Sequence, residues 1–515
     1  MKRLLCLSLS VVMLASSMAG CSKASNNKGD NSGTKTETNA EPTKFSMSMR
    51  SLALKYVDNA KDLNTDKWKL ELEKRTNTKI DLKVIPQTNY VGSMNMMFAS
   101  GDIPDVVQAS SLDDPALANA VQEGIFMPLD DLLKKAAPNM MKLVPKIAWE
   151  DTTYDDGKIY GMPEYLSSTT RRATYIRKDL LDKYGLKVPV TLDDFVNVMK
   201  VFKQNGVKYP YVGREKWMYT DLFFGAFNAL PTTYLLNDKK EVVPAYVQPQ
   251  MKDALAFHKM LNDQGLIDQQ SLLNKQVDWE KKCLSGDVGI FSRNVKDFTL
   301  MQTKLKAAVP TAQLMMIAGP TGPDGKHGMA KASPTMRCYM INKKYARPEN
   351  IIKFFDWMAT DEAAEFFSFG IEGQDYTKKD GKIEFTYPTD ISKLDEVNYR
   401  SEWLWGVRDS AYNKRLLPYQ DGGKEILNFF EKIAPTDGRV WINPKQMDST
   451  KKYPDLDVAE NQQALWQKFA AQVFYGEVSV DKFDDFVADY YKRGGNEIVK
   501  EATERYNKGT GKLNQ

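Results

Sequence analysis

Only two histidines, His258 and His327, occur in 515 residues, and that scarcity bounds the catalysis open to this chain. Imidazole-based zinc sites and a serine–histidine–aspartate triad both need a histidine among its partners, so they have little to draw on. His258 sits in "MKDALAFHKML", a helical stretch that puts it at the surface or half-buried, and His327 follows Gly325 and Lys326 in a turn. That turn, "GPTGPDGKHG", does not make a phosphate loop: Pro320 stands where the first glycine is required, and His327 where serine or threonine is. "YDDGK" (Tyr154 to Lys158) fails as a calcium loop, since Thr152 and Tyr154 fall at the first and third ligand positions. Neither a metal nor a cofactor is expected. Carboxylates are abundant, but a glycosidase pair is defined by its separation in space, and nothing along the chain selects one. An extracellular polysaccharide-acting enzyme stays as the alternative, behind binding.

Binding chemistry is better supplied. A sugar offers flat C–H faces on which aromatic rings stack, and hydroxyls that planar Asp, Asn, Gln and Arg groups satisfy in networks. The chain holds 9 Trp and 24 Tyr, several of them at turns rather than at helix-core spacing. Trp68 and Trp357 differ, lying at helical spacing among apolar neighbours, and are expected in the core.

Such groups need a scaffold, and the hydrophobic pattern describes one. Phe45 to Ser51 reads as a strand, Thr65 to Arg75 as an amphipathic helix, and Lys79 to Ile85 as an alternating strand. Ser93 to Ser100 reads as a helix stopped by Gly101, and Asp105 to Gln108 as a short buried strand. Strand alternating with helix predicts a parallel sheet covered by helices. The same grammar returns with a strand at Ala173 to Ile176 and a helix from Lys178 to Gly185. Thr191, with Asp194 three residues on, caps an amphipathic helix that stops by Gly206. Further helices fit Gln250 to Asn262, Pro348 to Ala359, Glu460 to Phe474 and Val480 to Tyr491. With 42% hydrophobic residues the body can fill two α/β lobes joined by crossing segments.

The amino-terminal residues address the protein rather than fold it. Lys2 and Arg3 precede an apolar run from Leu4 to Ala15, too short and too rich in serine for a permanent span, which is the layout of a secretory leader. Met18-Ala19-Gly20-Cys21 resembles a bacterial lipobox, with Met18 where Leu is preferred. The resemblance implies removal of residues 1–20 and acylation of Cys21, palmitate included, whose several chains anchor the protein on the extracellular face of the cell membrane. Residues 21–43 are almost wholly Ser, Asn, Lys, Gly, Thr and Glu and read as a flexible linker. The net charge of +4, reduced to +2 without Lys2 and Arg3, gives no support for a nucleic-acid partner. Beyond the anchor only Cys283 and Cys338 remain, and one disulfide or two buried free thiols fit equally.

Several stretches, in order, resemble the extracellular solute-binding lipoproteins of ABC importers, family 1, and most of all its LipO/LplA-like oligosaccharide-binding branch. They are "FASGDIPDVV" (Phe98 to Val107), "YDDGKIYGMPEY" (Tyr154 to Tyr165), "YIRKDLLDKYGLKVPVTLDDF" (Tyr175 to Phe195), "LNDQGLID", "GDVGIF" and "FGIEGQDY". The tail from Gly476 also fits, so the resemblance covers about Phe45 to Asn507. Some alginate-binding relatives carry a calcium loop after the "TLDDF" helix; here "KQNGVKYP" lacks the acidic ligands.

The resemblance implies a two-lobed, periplasmic-binding-protein-like α/β fold with a hinge and an interlobe ligand cleft. It puts residues 44–168 plus about 336–435 in the first lobe and 169–335 plus about 436–515 in the second. Cleft residues are then expected on loops at strand ends. Gln108, Ser110 and Asp113 follow the "PDVV" strand, Glu164 and Tyr165 follow the "GMP" turn, and Arg171 and Arg172 lie at the first crossing. The second lobe offers Trp217, Tyr219, Asp221, Arg293 and Asn294; Arg337 falls at the second crossing, in "SPTMRCYMIN". Trp403 and Trp405, two apart, would point the same way on an extended segment. The implied function is a monomeric receptor that closes on an extracellular oligosaccharide and presents it to the transmembrane subunits of an ABC permease, or, as another alternative, a ligand-sensing subunit. Basic side chains at the cleft are compatible with uronic-acid-containing sugars.

Overall fold

The computed structural model describes residues 41–117, 119–408, 411–444, 447–458 and 464–509. The leader, Cys21, nearly all of the linker and the start of the helix expected at Glu460 lie outside the described residues. In chain order the strands are β1 (Thr43–Arg50), β2 (Thr78–Ile85), β3 (Val106–Ala109), β4 (Met162–Tyr165), β5 (Arg172–Arg177) and β6 (Tyr209–Tyr211). There follow β7 (Tyr234–Leu236), β8 (Val242–Pro244), β9 (Val288–Asn294), β10 (Leu314–Ile317) and β11 (Thr335–Ile341).

They form two main sheets. The first has the order β2-β1-β3-β11-β4 and the second β10-β5-β9-β6, while β7 and β8 make a separate ribbon. β1 lies parallel to β2 from Thr43↔Thr78 to Arg50↔Ile85, and parallel to β3. Its alternation sends Phe45, Met47 and Met49 into the core with Ile80 and Leu82 of β2. The expected parallel sheet is in fact mixed. β11 inserts antiparallel between β3 and β4, although it lies more than 200 residues beyond β3 in sequence. In the second sheet, too, β5 runs antiparallel to both β9 and β10, and only β6 is parallel to β9.

Local signals worked where the backbone makes its own case. Asp66 caps the helix Lys67–Thr76, accepting from Trp68 N and Lys69 N. Thr191 and Asp194 form a reciprocal capping box at Leu192–Gln204. Trp68 is buried and Trp357 packs half-buried against the same core, as their helical spacing predicted. Cys338 is buried in the first half and Cys283 in the second, in separate apolar clusters, so no disulfide joins them.

Each sheet has its own apolar clusters, and the chain passes between the halves at three places. The first two passages lie side by side: Leu166 N donates to Pro334 O at 2.8 Å, and Ala332 N to Thr169 O at 2.8 Å. Thr170 Oγ1 donates to the Ala434 and Asp437 carbonyls, and Lys331 N to Arg439 O. Backbone there packs without room for side chains. A Cβ on Gly225 would sit 1.9 Å from the Gly328 carbonyl oxygen, and one on Gly328, itself at φ +97°, 2.0 Å from Gly438 N. The third passage is earlier than the expected residue 435: Leu416 and Tyr419 still pack on Phe369, but Ile426, Phe429, Phe430 and Ala434 lie among second-sheet residues. They share that core with Tyr175, Phe291, Phe298 and Leu314.

His258 departs from its expected surface or half-buried position. It is fully buried, with its ring 4.1 Å from that of Phe224 and Nδ1 donating to Ala254 O at 2.7 Å. Burial pushes its pKa down to about 4. Unfolded chain therefore binds more protons than native between pH 6.5 and 4, so the stabilisation by neutral His258 is complete above pH 6.5 and is lost as pH falls toward 4. Urea unfolding at pH 7 and pH 4.5 should show the native chain losing roughly 2–3 kcal/mol more than His258→Gln over that interval; equal losses would mean that another group drives acid sensitivity.

Candidate functional site

The carboxyl ends of β1, β3 and β4 and the start of β11 lie at one end of the first sheet, and the ends of β6, β9 and β10 with the start of β5 at one end of the second. The passages between halves leave from these ends, as the order β4 to β5 and β10 to β11 requires. In open α/β sheets the ligand crevice lies beyond the strands' carboxyl ends.

The second half brings together five expected residues. Arg172 pairs across the sheet with Asn294, next to Arg293 in register with Ala173. Arg172 Nη1 donates to Asp221 Oδ2 at 2.5 Å and its guanidinium lies 5.1 Å from the Tyr219 ring centre. Tyr219 stacks on Trp279, centroids 4.6 Å apart and planes 15° from parallel. Arg293 lies 5.4 Å from the Trp279 ring and is held by Asp297 at 2.9 Å and Glu280 at 3.1 Å. Burial raises the Tyr219 hydroxyl above its ordinary pKa, so it is neutral and can donate.

Two features mark this wall. The segment that carries Tyr219 is strained, with Lys216, Trp217 and Tyr219 at φ of 60°, 58° and 62°. Buried polar atoms nearby also lack partners among the described residues: Asp221 Oδ1, Glu215 Oε2 and Arg214 Nε. A buried acceptor without a donor costs about 1–3 kcal/mol, which an arriving hydroxyl can return.

Across the junction, Lys296 Nζ, just past the end of β9, lies 2.7 Å from Glu402 Oε1, in the helical turn Tyr399–Trp403 of the first half. Burial opposes ionisation of Glu402, but Lys296, Arg337 and Arg171 together hold its carboxyl below the ordinary range. Arg171 Nη1 donates to Met336 Sδ at 3.0 Å. On the first half Arg50, at the end of β1, lies 3.7 Å from the Tyr90 ring centre and donates to Ser110 Oγ at 2.5 Å, with Asp114 at 3.6 Å. Asp114 also accepts from Tyr90 Oη and Ser110 N, work that the sequence reading looked for at its half-buried neighbour Asp113. Arg50, Tyr90, Asp114, Trp279, Lys296, Glu402 and Arg408 were not foreseen; a strand-end position was the signal for Arg50, and for Lys296 the "SRNVKD" run after β9.

Other expected residues are structural. Trp217 is buried between Phe224, His258 and Phe474 in the core of the second half. Trp403 and Trp405 do not share a face: Trp403 ends a π-helical turn and donates Nε1 to Arg50 O at 2.8 Å, whereas Trp405 donates to Met358 O at 2.9 Å and stacks on Phe367. Both are core because each apolar ring found a cavity and each N–H a carbonyl. Arg337 and Glu164 face each other on β11 and β4 as a buried two-pronged ion pair, with Nε to Oε2 at 2.6 Å. Gln108 is buried as well, accepting from Arg50 N and donating to Tyr339 Oη at 2.8 Å. Tyr165 is buried beside Val407 and Arg408.

Residues 61–365 match the family described as bacterial extracellular solute-binding protein. The chain is 24% identical over 85% of its length to the polygalacturonan/rhamnogalacturonan-binding protein YtcQ of Bacillus subtilis, covering 87% of that protein. It is 26% identical over 84% of its length to lipoprotein LipO of Bacillus subtilis, covering 88% of it. The structure of the Streptococcus pneumoniae ABC-transporter substrate-binding protein FusA with kestose superposes with a TM-score of 0.65 at 20% identity, over 91% of this chain and 99% of that one.

The two kinds of ion pair should separate on mutation. Glu164→Gln leaves Arg337 buried and alone and should lower unfolding stability by about 3–5 kcal/mol, whereas Lys296→Gln, at a partly exposed pair, should cost no more than about 1 kcal/mol. Urea midpoints decide, and similar values would mean that Arg337 and Glu164 are not the buried tie described.

Proposed function

The chain belongs to the bacterial extracellular solute-binding protein family, and on that premise we propose that it captures an extracellular oligosaccharide between its lobes and delivers it to the transmembrane subunits of an ABC importer. The observation that carries the carbohydrate reading is the strand-end wall itself: half-buried Tyr219, backed by the buried Trp279 ring, beside Arg172 and Asp221, whose buried Oδ1 has no partner among the described residues. A sugar ring can stack on Tyr219 and its hydroxyl can satisfy Asp221. YtcQ and FusA, named for polygalacturonan and rhamnogalacturonan and for fructooligosaccharide, support the same ligand class.

Contacts from both lobes become simultaneous only when the lobes close, so the ligand favours closure by its extra affinity for that state. Lys296 and Glu402 are the pair through which the halves then meet. We assign residues 44–168 and about 336–420 to the first lobe and 169–335 with about 421–509 to the second, on the packing of their cores. The protein acts as a monomer without turnover, tethered through acylated Cys21 to the outer face of the membrane. The lipoprotein name of LipO supports that tether, and no helix among the described residues is long and apolar enough to cross a membrane.

The test is a thermal-shift screen of the intact chain against mono- and oligosaccharides, with each sugar recovered by chromatography. A bound sugar should raise the melting temperature and come back uncleaved. Tyr219→Ala and Asp221→Ala should each weaken its binding about 10- to 100-fold. Cleaved product would make the protein an enzyme, and unchanged affinity in both variants would move the site elsewhere.

A further inference from the structure

The cations around the junction are not equally neutralised. Arg172 has Asp221, Arg293 has Glu280 and Asp297, Arg337 has Glu164, Arg214 has Glu215, Lys296 has Glu402, and Arg50 has Asp114. Arg171 and Arg408 form no direct ion pair with a carboxylate among the described residues; Arg171 reaches Glu402 only through the longer-range attraction that it shares with Lys296 and Arg337. The Arg171 guanidinium, half-buried, donates to a thioether, Met336 Sδ. Arg408, also half-buried, donates Nη2 to Ser167 Oγ at 3.2 Å, while its Nε is buried without a partner. Its guanidinium lies 5.3 Å from the Trp405 ring centre and 5.9 Å from that of Tyr165.

Both residues flank the same stretch of chain. Arg408 bridges to Tyr165 at the end of β4, Ser167 lies two residues on, and Arg171 ends that passage where β5 begins. Met336, which receives Arg171, follows Thr335, the β11 partner of Tyr165. Glu402 attracts Arg171 from a distance, but its direct ion pair is with Lys296, so it does not neutralise Arg171 alone.

A guanidinium taken partly out of water without an anion is costly, and the aromatic faces beneath Arg408 offset only part of that cost. Neutral hydroxyls can accept its hydrogen bonds but cannot cancel its charge. A carboxylate does both, and the planar fork of Arg matches it in two parallel bonds.

Resting on the carbohydrate reading above, we propose that the ligand is an acidic oligosaccharide, one whose uronate carboxylate is received by Arg171 and Arg408 at the lobe junction. Specificity against neutral sugars then comes from the junction, and ring recognition from Tyr219.

Titration calorimetry on the intact chain tests this with trimers of galacturonate, glucuronate and mannuronate, their methyl esters, and the neutral hexose trimers. One acid should bind at least 10-fold more tightly than its ester, with an affinity that falls as salt rises. Arg171→Gln and Arg408→Gln should each remove most of that preference and leave the ester's affinity within about twofold; Arg171→Gln alone suffices should the other variant not fold. Neutral sugars bound as tightly as acids would overturn the acidic assignment and leave the carbohydrate reading standing. Binding of none of the trimers would overturn both.

Discussion

Everything at the junction depends on backbone running beside backbone. The passages after β4 and before β11 are joined by main-chain hydrogen bonds at Leu166 and Ala332, and Thr170 ties them to the chain near Asp437. Main-chain bonds of this kind do not depend on side-chain identity, so they fix where two separately cored halves meet while leaving the loops at their edges free to vary. The price is discontinuity, since neither half is a single run of sequence.

That arrangement sorts the polar groups into two populations. Inside the first sheet, Arg337, Glu164, Tyr339 and Gln108 answer one another, and Gln108 also takes the Arg50 amide. Charges so buried are tolerable because each has its partner, and they hold β11 in register between strands that lie far earlier in the sequence. At the strand ends the balance is left incomplete, with Asp221 and Arg408 each carrying a buried atom that nothing among the described residues satisfies.

Sequence legibility followed the range of the interactions. Asp66, Thr191 and the alternation of Ile80, Leu82 and Val84 act within a few residues, so the elements they begin or build were readable. The position of β11 was not, because its partners are chosen by tertiary contact. Aromatic residues misled for the same reason: Trp217 and Trp405 occur in loop-like sequence, but their burial is decided by His258, Phe367 and other residues far along the chain. The extended geometry expected for Trp403 gave way to a π-helical turn, for which no short-range pattern was available. Arg172, Tyr219, Asp221, Arg293 and Asn294 fall together at one end of the second sheet, where the strand ends located in the sequence put them.

The two buried cysteines carry a practical consequence. Cys283 and Cys338 are sealed in separate cores, and burial raises the Cys283 thiol well above its ordinary range, so little thiolate is present for alkylation. A cysteine introduced on the surface beside Lys296 or Glu402 would be the preferred target of a maleimide dye among the described residues. The fold thus comes ready for site-selective fluorescent labelling, and an environment-sensitive probe at that seam would report lobe movement as colour or intensity in real time.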